Sequence, residues 1–86
     1  MTPTAASAPT VTLLTKPGCH LCDDVVPVLD EVLTPLGLTW EAVDITTDEA
    51  LYATYWTQIP VVLVDEQVVA VHGLAAAELR AALAAR

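Results

Sequence analysis

The sequence predicts a single α/β domain in which four strands form one mixed sheet and three helices flank it. Its 86 residues fit one small domain. The spacing of apolar residues switches repeatedly between strand and helix periods, which gives the order β-α-β-α-β-β-α. Val, Leu and Ala dominate the 55% of residues that are hydrophobic, and Phe is absent, which suits an aliphatic core. A right-handed βαβ crossover followed by a hairpin makes the sheet mixed.

The first strand and helix are predicted on either side of a short turn. Residues 10–15 are β-branched and apolar and stop at a Lys-Pro-Gly turn, as a strand does. From Cys19 onward, apolar residues recur at helical spacing, and they are Leu21, Val25, Val28, Leu29, Val32, Leu33 and Leu36. Gly37 then provides a natural helix C-cap. Pro27 lies inside this helix and should kink it, because proline removes a backbone donor.

A second strand and a short helix are predicted next. Residues 38–43 largely alternate apolar and polar side chains, as in a half-buried strand. Thr46 precedes Glu49 by three residues, which is a capping-box signature. The short helix is therefore predicted over residues 47–55.

A hairpin and a final helix complete the domain. The apolar runs 61–64 and 68–71 surround three polar residues, a pattern typical of a β-hairpin. Residues 72–73 end the hairpin. The Ala-rich segment 74–85, with leucines four residues apart, predicts the last helix.

The charge of the chain limits its partners. Three basic residues face 11 acidic ones, so the net charge is −8. Phosphate backbones repel such a protein, and nucleic acid and anionic membrane surfaces are therefore not expected as partners. No apolar run approaches the ~20 residues of a membrane span. The charge either keeps a monomer solvated or steers it toward basic patches on other proteins.

The N-terminal segment and the cysteine count suggest a compartment. Residues 1–9 have neither a basic start nor an apolar centre, so they do not resemble a secretory signal. They are predicted to form a disordered tail ahead of a domain over residues 10–86. Without an export signal, a cytoplasmic location is expected. Two cysteines in that reducing compartment are more typical of reactive or metal-binding thiols than of a structural disulfide.

The sequence Cys19-His20-Leu21-Cys22 lies between the first predicted strand and helix. A thiolate is the nucleophile of disulfide exchange, and unpaired N–H groups at a helix N-terminus stabilise an anion. Cys19 is therefore predicted to be the exposed attacking thiol. Cys22, one turn later, is predicted to be the more buried resolving thiol.

Three further residues are candidates near this pair or in the hairpin. Lys16, the sole lysine, lies three residues before Cys19. It either favours the thiolate, holds an anionic group, or is an ordinary solvated lysine. His20 either acts as a proton shuttle, tunes the redox potential, or is an exposed loop residue that sets local polarity. Pro60 opens an apolar strand, which indicates a strand-start or edge position, and a trans peptide bond is the ordinary expectation.

These features resemble the glutaredoxin branch of the thioredoxin superfamily, and most of all its small bacterial glutaredoxin-like proteins. The resemblance covers residues 10–85. It rests on the cysteine motif, on a proline before the hairpin and on a glycine after it (Lys16-Pro17-Gly18-Cys19-His20-Leu21-Cys22, Ile59-Pro60 and Gly73). It implies a thioredoxin-like fold in which Pro60 is cis and packs beside the cysteines.

The resemblance also implies an activity. Cys19 and Cys22 would reduce disulfides on a protein client without a bound cofactor. The reductant would be glutathione or a flavoprotein of the thioredoxin-reductase type. Substrate or glutathione would contact Lys16, His20, Leu21, Gln58, Ile59, Pro60 and Gly73, with the Ile59 backbone offering strand-like hydrogen bonds. Two features depart from familiar glutaredoxins, because His-Leu replaces Pro-Tyr and residues 72–76 lack the paired glycines and acidic pair that grip glutathione.

Two other functions remain open on the same fold. A metal or iron–sulfur carrier would need ligands beyond the two cysteines. Within one chain only His20 and His72 are further histidines, whereas a dimer could supply four thiolates. A redox-inert interaction domain could present Trp40, Trp56, Tyr52 and Tyr55 as a contact patch, although packing in and around the core is the expected role of these aromatics.

Overall fold

The computed structural model describes residues 8–86 and contains one four-stranded mixed sheet with strand order β2-β1-β3-β4. The elements are β1 (Val11–Thr15), α1 (His20–Leu33), β2 (Glu41–Asp44), α2 (Glu49–Tyr55), β3 (Val61–Val64), β4 (Gln67–Val71) and α3 (Ala76–Ala84). β1 pairs with β2 in parallel, and the β1–β3 and β3–β4 pairs are antiparallel. The predicted α/β class, element order and mixed sheet are confirmed.

Most of the predicted N-terminal tail, residues 1–7, lies outside the residues that the structure describes. Within residues 8–86, none of the helices has the length and apolar character that crossing a membrane requires.

Two aliphatic clusters pack on opposite faces of the sheet. Adjacent strand residues point to opposite faces, so Leu13 joins one cluster and Leu14 the other. The larger cluster lies between the sheet, α1 and α3, and its buried members are Val11, Leu13, Val25, Leu29, Val32, Leu33, Val62, Val64, Ala70 and Leu79. The smaller cluster contains Leu14, Cys22, Ile45, Ile59 and Val61. The cysteine pair is therefore connected to the hydrophobic core through the smaller cluster.

The first helix ends earlier than its apolar spacing predicts. α1 stops at Leu33, and a 3-10 helix over Thr34–Leu36 follows. Pro35 has no N–H to continue the α-helical hydrogen bonds, which explains the early end. Gly37 adopts a φ of 72° and its N–H donates to the Thr34 carbonyl, so it terminates this segment as predicted. Pro27 lies within α1, which is one continuous helix.

The second strand begins three residues later than predicted, at Glu41. Its parallel pairing with β1 starts at the Thr12–Glu41 pair. Because β1 itself begins at Val11, most of the residues before Glu41 have no β1 residue opposite them. The Trp40 indole N–H instead donates to the Asp30 carboxylate at 2.9 Å, which ties this segment to α1.

The predicted capping box before α2 is wrong. Asp48 is the N-cap, and its carboxylate accepts hydrogen bonds from the Ala50 and Leu51 N–H groups at 2.9 and 3.1 Å. Thr46 lies in a separate 3-10 helix over Ile45–Thr47. The short Asp48 side chain reaches the first free N–H groups of the helix directly, which makes it the better cap.

The hairpin turn has two residues rather than three. Asp65 and Glu66 both have positive φ angles, 52° and 68°, as a turn that matches the twist of the flanking strands requires. Gln67 therefore already belongs to β4. α3 begins at Ala76, two residues later than predicted.

Candidate active site

One end of the sheet brings together segments that are distant in the sequence. Leu14, near the end of β1, pairs with Val61, the first residue of β3, and Val61 also pairs with Val71 at the end of β4. The turn after β1, the segment before β3 and the segment after β4 therefore meet at this end. The His72 N–H donates to the Gln58 carbonyl at 3.1 Å and holds two of these segments together. This end of the molecule is called the cysteine end below.

Cys19 is the N-cap of α1 and carries its sulfur at the helix N-terminus. Its backbone is extended, with φ −91° and ψ 104°. The Cys22 N–H donates to the Cys19 sulfur at 3.2 Å. The sulfur occupies the position that a Ser or Asp oxygen takes in an ordinary N-cap. A negative charge on this sulfur would therefore be stabilised by a backbone donor and by the helix dipole.

Cys19 and Cys22 form a disulfide, and their Cα atoms are 5.3 Å apart. Cys22 is only 2% exposed and belongs to the smaller core cluster, whereas Cys19 is half-buried at its edge. The predicted difference in burial is thus present. An external partner can therefore reach Cys19 more readily than Cys22. The attacking and resolving roles of the two residues stay predictions.

Pro60 lies buried directly before β3, and the Ile59–Pro60 peptide bond is cis, as the resemblance implies. Ile59 is buried in the same small cluster as Cys22. The Ile59 N–H already donates to the Tyr55 carbonyl at 3.1 Å. Of the two backbone groups expected to bind a peptide, only the Ile59 carbonyl has no backbone donor within residues 8–86. Binding through the N–H would require that bond to open.

The remaining candidate residues lie at the same end, and most of them are accessible. Lys16, His20 and Leu21 are exposed in the turn before α1 and in its first residues. Gln58 is half-buried, and its side-chain amide donates to the Thr54 carbonyl at 2.9 Å, so it is held by α2. Gly73 is half-buried after β4. The topology brings all predicted contact residues to one end, and their contacts with a substrate stay predictions.

The aromatic side chains divide into two groups. Trp40 packs against the larger cluster and Tyr55 against the smaller one, as expected. Tyr52 and Trp56 are exposed and stack on each other, with ring centroids 6.4 Å apart, so the expectation of core packing is wrong for these two. Their spacing of four residues places both on the outer side of α2. That spacing is the signal in the sequence that could have identified the pair.

Two observations concern charge and metal ligands. The Thr46 hydroxyl and then the Thr46 N–H donate to Asp44, and these hydrogen bonds lower the pKa of that carboxyl. Asp44, at the end of β2, is therefore firmly anionic at neutral pH. Among residues 8–86, no three Cys, His, Asp or Glu side chains are grouped closely enough to hold a metal ion. A cluster shared between two chains stays an untested alternative.

Several solved structures share the fold of this chain. The X. campestris protein XcR50, a Northeast Structural Genomics target, is 30% identical, with a TM-score of 0.73 over 88% of this chain and 97% of that one. A malarial protein is 18% identical, with a TM-score of 0.64 over 91% and 94% of the two chains. Fasciola hepatica thioredoxin is 16% identical, with a TM-score of 0.60 over 92% and 81%. The last two show the thioredoxin-like fold alone.

A search of curated proteins gives no significant match. A family profile, in contrast, matches nearly the whole chain. It spans residues 10–84, from the start of β1 to the end of α3, and includes both cysteines and Pro60. The profile describes the Glutaredoxin-like domain (DUF836), and the chain belongs to this family.

Proposed function

We propose that the protein is a thiol–disulfide oxidoreductase that reduces disulfides of a protein client. Family, fold and the Cys19–Cys22 pair together indicate a redox function. The observation that carries the finer proposal is the position of the Cys19 sulfur. It is partly accessible at a helix N-terminus and bonded to a buried second sulfur. This is the arrangement that a two-step exchange needs.

The exchange transfers two electrons to the client. In the reduced protein, the Cys19 thiolate attacks one sulfur of the client disulfide, a mixed disulfide forms, and the other client sulfur leaves as a thiolate. The Cys22 thiolate then attacks the Cys19 sulfur and displaces the second client thiolate. The client gains two electrons and takes up two protons, which balance those lost by the two cysteines. The protein ends with the Cys19–Cys22 disulfide seen in the structure.

The structure supports the first step through the backbone of α1. The Cys22 N–H that donates to the Cys19 sulfur in the disulfide is positioned to stabilise a thiolate there. An anion at a helix N-terminus is also favoured by the helix dipole, by ~0.3–1 kcal/mol at an exposed site. Because Cys22 is buried, it reacts with the neighbouring mixed disulfide rather than with an external one.

Another thiol compound must return the two electrons. Glutathione or a flavoprotein of the thioredoxin-reductase type would serve, and the protein itself then needs no bound cofactor. We place this cycle in the cytoplasm, with the protein acting as a monomer.

The proposal is tested by equilibrating the purified protein across glutathione redox buffers and measuring its intact mass without reduction. We expect a reversible change of two hydrogen atoms as Cys19 and Cys22 pair and separate. Cys19→Ser should abolish the turnover of a disulfide substrate. Cys22→Ser, the matched control, should keep the first step and accumulate an adduct on Cys19. Substantial turnover by Cys19→Ser would contradict the role assigned to that residue.

One observation favours a second function. The exposed Tyr52–Trp56 stack is suited to contact another protein, as a redox-inert interaction domain would require. Thiols that stay unpaired and unmodified across all the buffers would reject the oxidoreductase and favour this alternative.

A further inference from the structure

The cysteine end of the molecule is strongly acidic. β1 and β2 are parallel, so the residues that follow both strands lie at the same end of the sheet as Cys19. The first turn of α1 also lies there. Five carboxylates are placed at this end: Asp23, Asp24, Asp44, Asp48 and Glu49.

The arginines lie elsewhere and are paired with acids. Arg80 is 3.8 Å from Glu31, three turns along α1 from the cysteines. Arg86 is 2.7 Å from Asp65, in the hairpin turn at the opposite end of the sheet. Within the described part of the chain, Lys16 is therefore the single Lys or Arg at the cysteine end, and it forms no ion pair there. The five carboxylates outnumber it.

The start of α3 offers no place for an anion. The free N–H groups of a helix N-terminus generally attract negative charge. Here the Glu78 carboxylate already accepts a hydrogen bond from the Ala75 N–H at 2.9 Å. A negatively charged ligand would have to displace this carboxylate. Glu78 also adds one more negative charge close to residues 72–73, which precede α3.

Exposed apolar side chains accompany the cysteines. Leu21, between Cys19 and Cys22 in the sequence, is 55% exposed. Trp56 is 55% exposed in the turn that leads from α2 to Gln58, and Val71 is 40% exposed opposite Val61, next to Pro60. These three residues, Leu21, Trp56 and Val71, form what we call the apolar rim. A partner disulfide that reaches Cys19 therefore meets both exposed apolar side chains and negative charges at this end.

We propose that the client of this site presents its disulfide on a basic segment with an apolar residue next to the cysteine, and that anionic thiols and disulfides such as glutathione react poorly. This inference rests on the proposed function and names its substrate class. The acidic end attracts a cationic segment over about a Debye length, ~8–10 Å at physiological salt, and the rim takes up the apolar side chain. Glutathione, which is anionic and small, is repelled and covers little of the rim.

Four short peptides test the inference. Each contains one cysteine activated as a 2-pyridyl disulfide, with lysines or glutamates as flanking residues and leucine or serine beside the cysteine. The Cys19 thiolate of the reduced protein attacks the peptide sulfur, and pyridine-2-thione leaves and is followed by its absorbance. Second-order rate constants are measured at about 0.01 M and about 1 M ionic strength.

We expect the lysine peptides to react about tenfold faster than the glutamate peptides at low ionic strength, with the ratio approaching one at high ionic strength. The peptides with leucine beside the cysteine should react several-fold faster than those with serine at both ionic strengths. Equal rates for lysine and glutamate peptides, or a ratio that salt does not change, would overturn the charge part. Equal rates for leucine and serine would overturn the apolar part.

Matched variants locate the effect. Asp23→Asn with Asp24→Asn should reduce the lysine-to-glutamate ratio at least twofold. Glu41→Gln with Glu66→Gln changes the net charge equally at the opposite end and should leave the ratio unchanged. A ratio cancels any change in Cys19 reactivity itself. Equal effects of the two double variants would overturn the inference.

Failure of the proposed function has a different signature. A reduced protein that reacts with none of the peptides, nor with a neutral 2-pyridyl disulfide, contradicts the oxidoreductase. A protein that reacts with all of them at one rate remains an oxidoreductase and contradicts only the inference about its client.

Discussion

The Cys19 sulfur has a structural role, and the proposed function gives the same atom a chemical one. As the N-cap of α1, it satisfies a backbone N–H that would otherwise lack a partner. In the proposed exchange, the same N–H would stabilise the Cys19 thiolate. A substitution that keeps the cap but removes the thiol, such as Cys19→Ser, therefore separates chemistry from helix stability.

Lys16 lies at an otherwise acidic end and forms no ion pair within the described residues, so we expect it to act on an incoming anion. Lys16→Gln should slow the reaction of reduced Cys19 with glutathione disulfide about fivefold relative to the neutral 2-hydroxyethyl disulfide, which corresponds to ~1 kcal/mol between charges in water. The two rate constants are measured by intact mass after quenching.

Lys16→Arg is the control for this prediction and should restore the ratio, because it keeps the charge. If Lys16→Gln slows both disulfides equally, the lysine acts on the Cys19 thiolate instead, and the role given to it here is wrong.

Some residue-level features of the site could be predicted and others could not. The burial difference between Cys19 and Cys22 follows from helix geometry once the first cysteine is placed at the N-terminus. The exposure of Leu21 and Trp56 does not follow, because apolar spacing shows which side chains share a face but not whether another element covers it. α2 is only seven residues long, and within the described part of the chain no other element covers its outer face.

At the scale of elements, α2 connects the core to the active site. Tyr55, its last residue, packs on the smaller cluster, and its carbonyl accepts hydrogen bonds from the Gln58 and Ile59 N–H groups at 2.8 and 3.1 Å. The position of the segment before Pro60 therefore depends on where α2 lies, and α2 depends on its cap.

Asp48→Ala should lower the free energy of unfolding by ~1 kcal/mol, because two helix N–H groups lose their acceptor. The measurement is urea denaturation followed by Trp fluorescence. Thr46→Ala, at the position that the sequence pattern favours as the cap, should cost less than half as much. A larger loss for Thr46→Ala than for Asp48→Ala would contradict the cap assigned here.

Element order was predictable because a switch between periods of about two and 3.6 residues survives in a single sequence. The residues at which the elements begin and end were less predictable. Pro35 ended α1 and the length of β1 set the start of β2, and the second cause is a tertiary one that no local pattern contains. The two-residue turn at Asp65-Glu66 was missed because neither residue is the Asn or Gly typical of such turns.

At the scale of the whole molecule, the two ends of the sheet differ in charge and in the side chains that they carry. The cysteine end carries the two cysteines and five carboxylates that form no ion pair within the described residues. At the opposite end, Asp65 joins three parts of the chain: its N–H donates to the Thr10 carbonyl, and its carboxylate accepts from the Thr10 N–H and from Arg86. The beginning of β1, the hairpin turn and the C-terminal residue are thereby held together.

Asp65 also gives the stability a specific pH dependence. The hydrogen bond from Arg86 lowers the pKa of Asp65 below its ordinary value of 3.8, and the hydrogen bond from the Thr10 N–H lowers it further by a smaller amount. Since this pKa is lower in the folded chain than in the unfolded one, the carboxylate stabilises the fold above pH 3.8. The contribution is lost as the pH falls through the lowered pKa.

Asp65→Asn isolates this contribution, because asparagine has the same shape and tolerates the positive φ of the turn. The wild type should be the more stable protein in urea denaturation at about pH 6, and the difference should shrink steadily as the pH is lowered below 3.8. Glu66→Gln, the neighbouring turn residue without a hydrogen bond or ion pair from its side chain in the described part of the chain, should show no such change with pH. A wild-type advantage that persists at the lowest pH would mean that the Asp65 charge does not hold Thr10 and Arg86 to the hairpin.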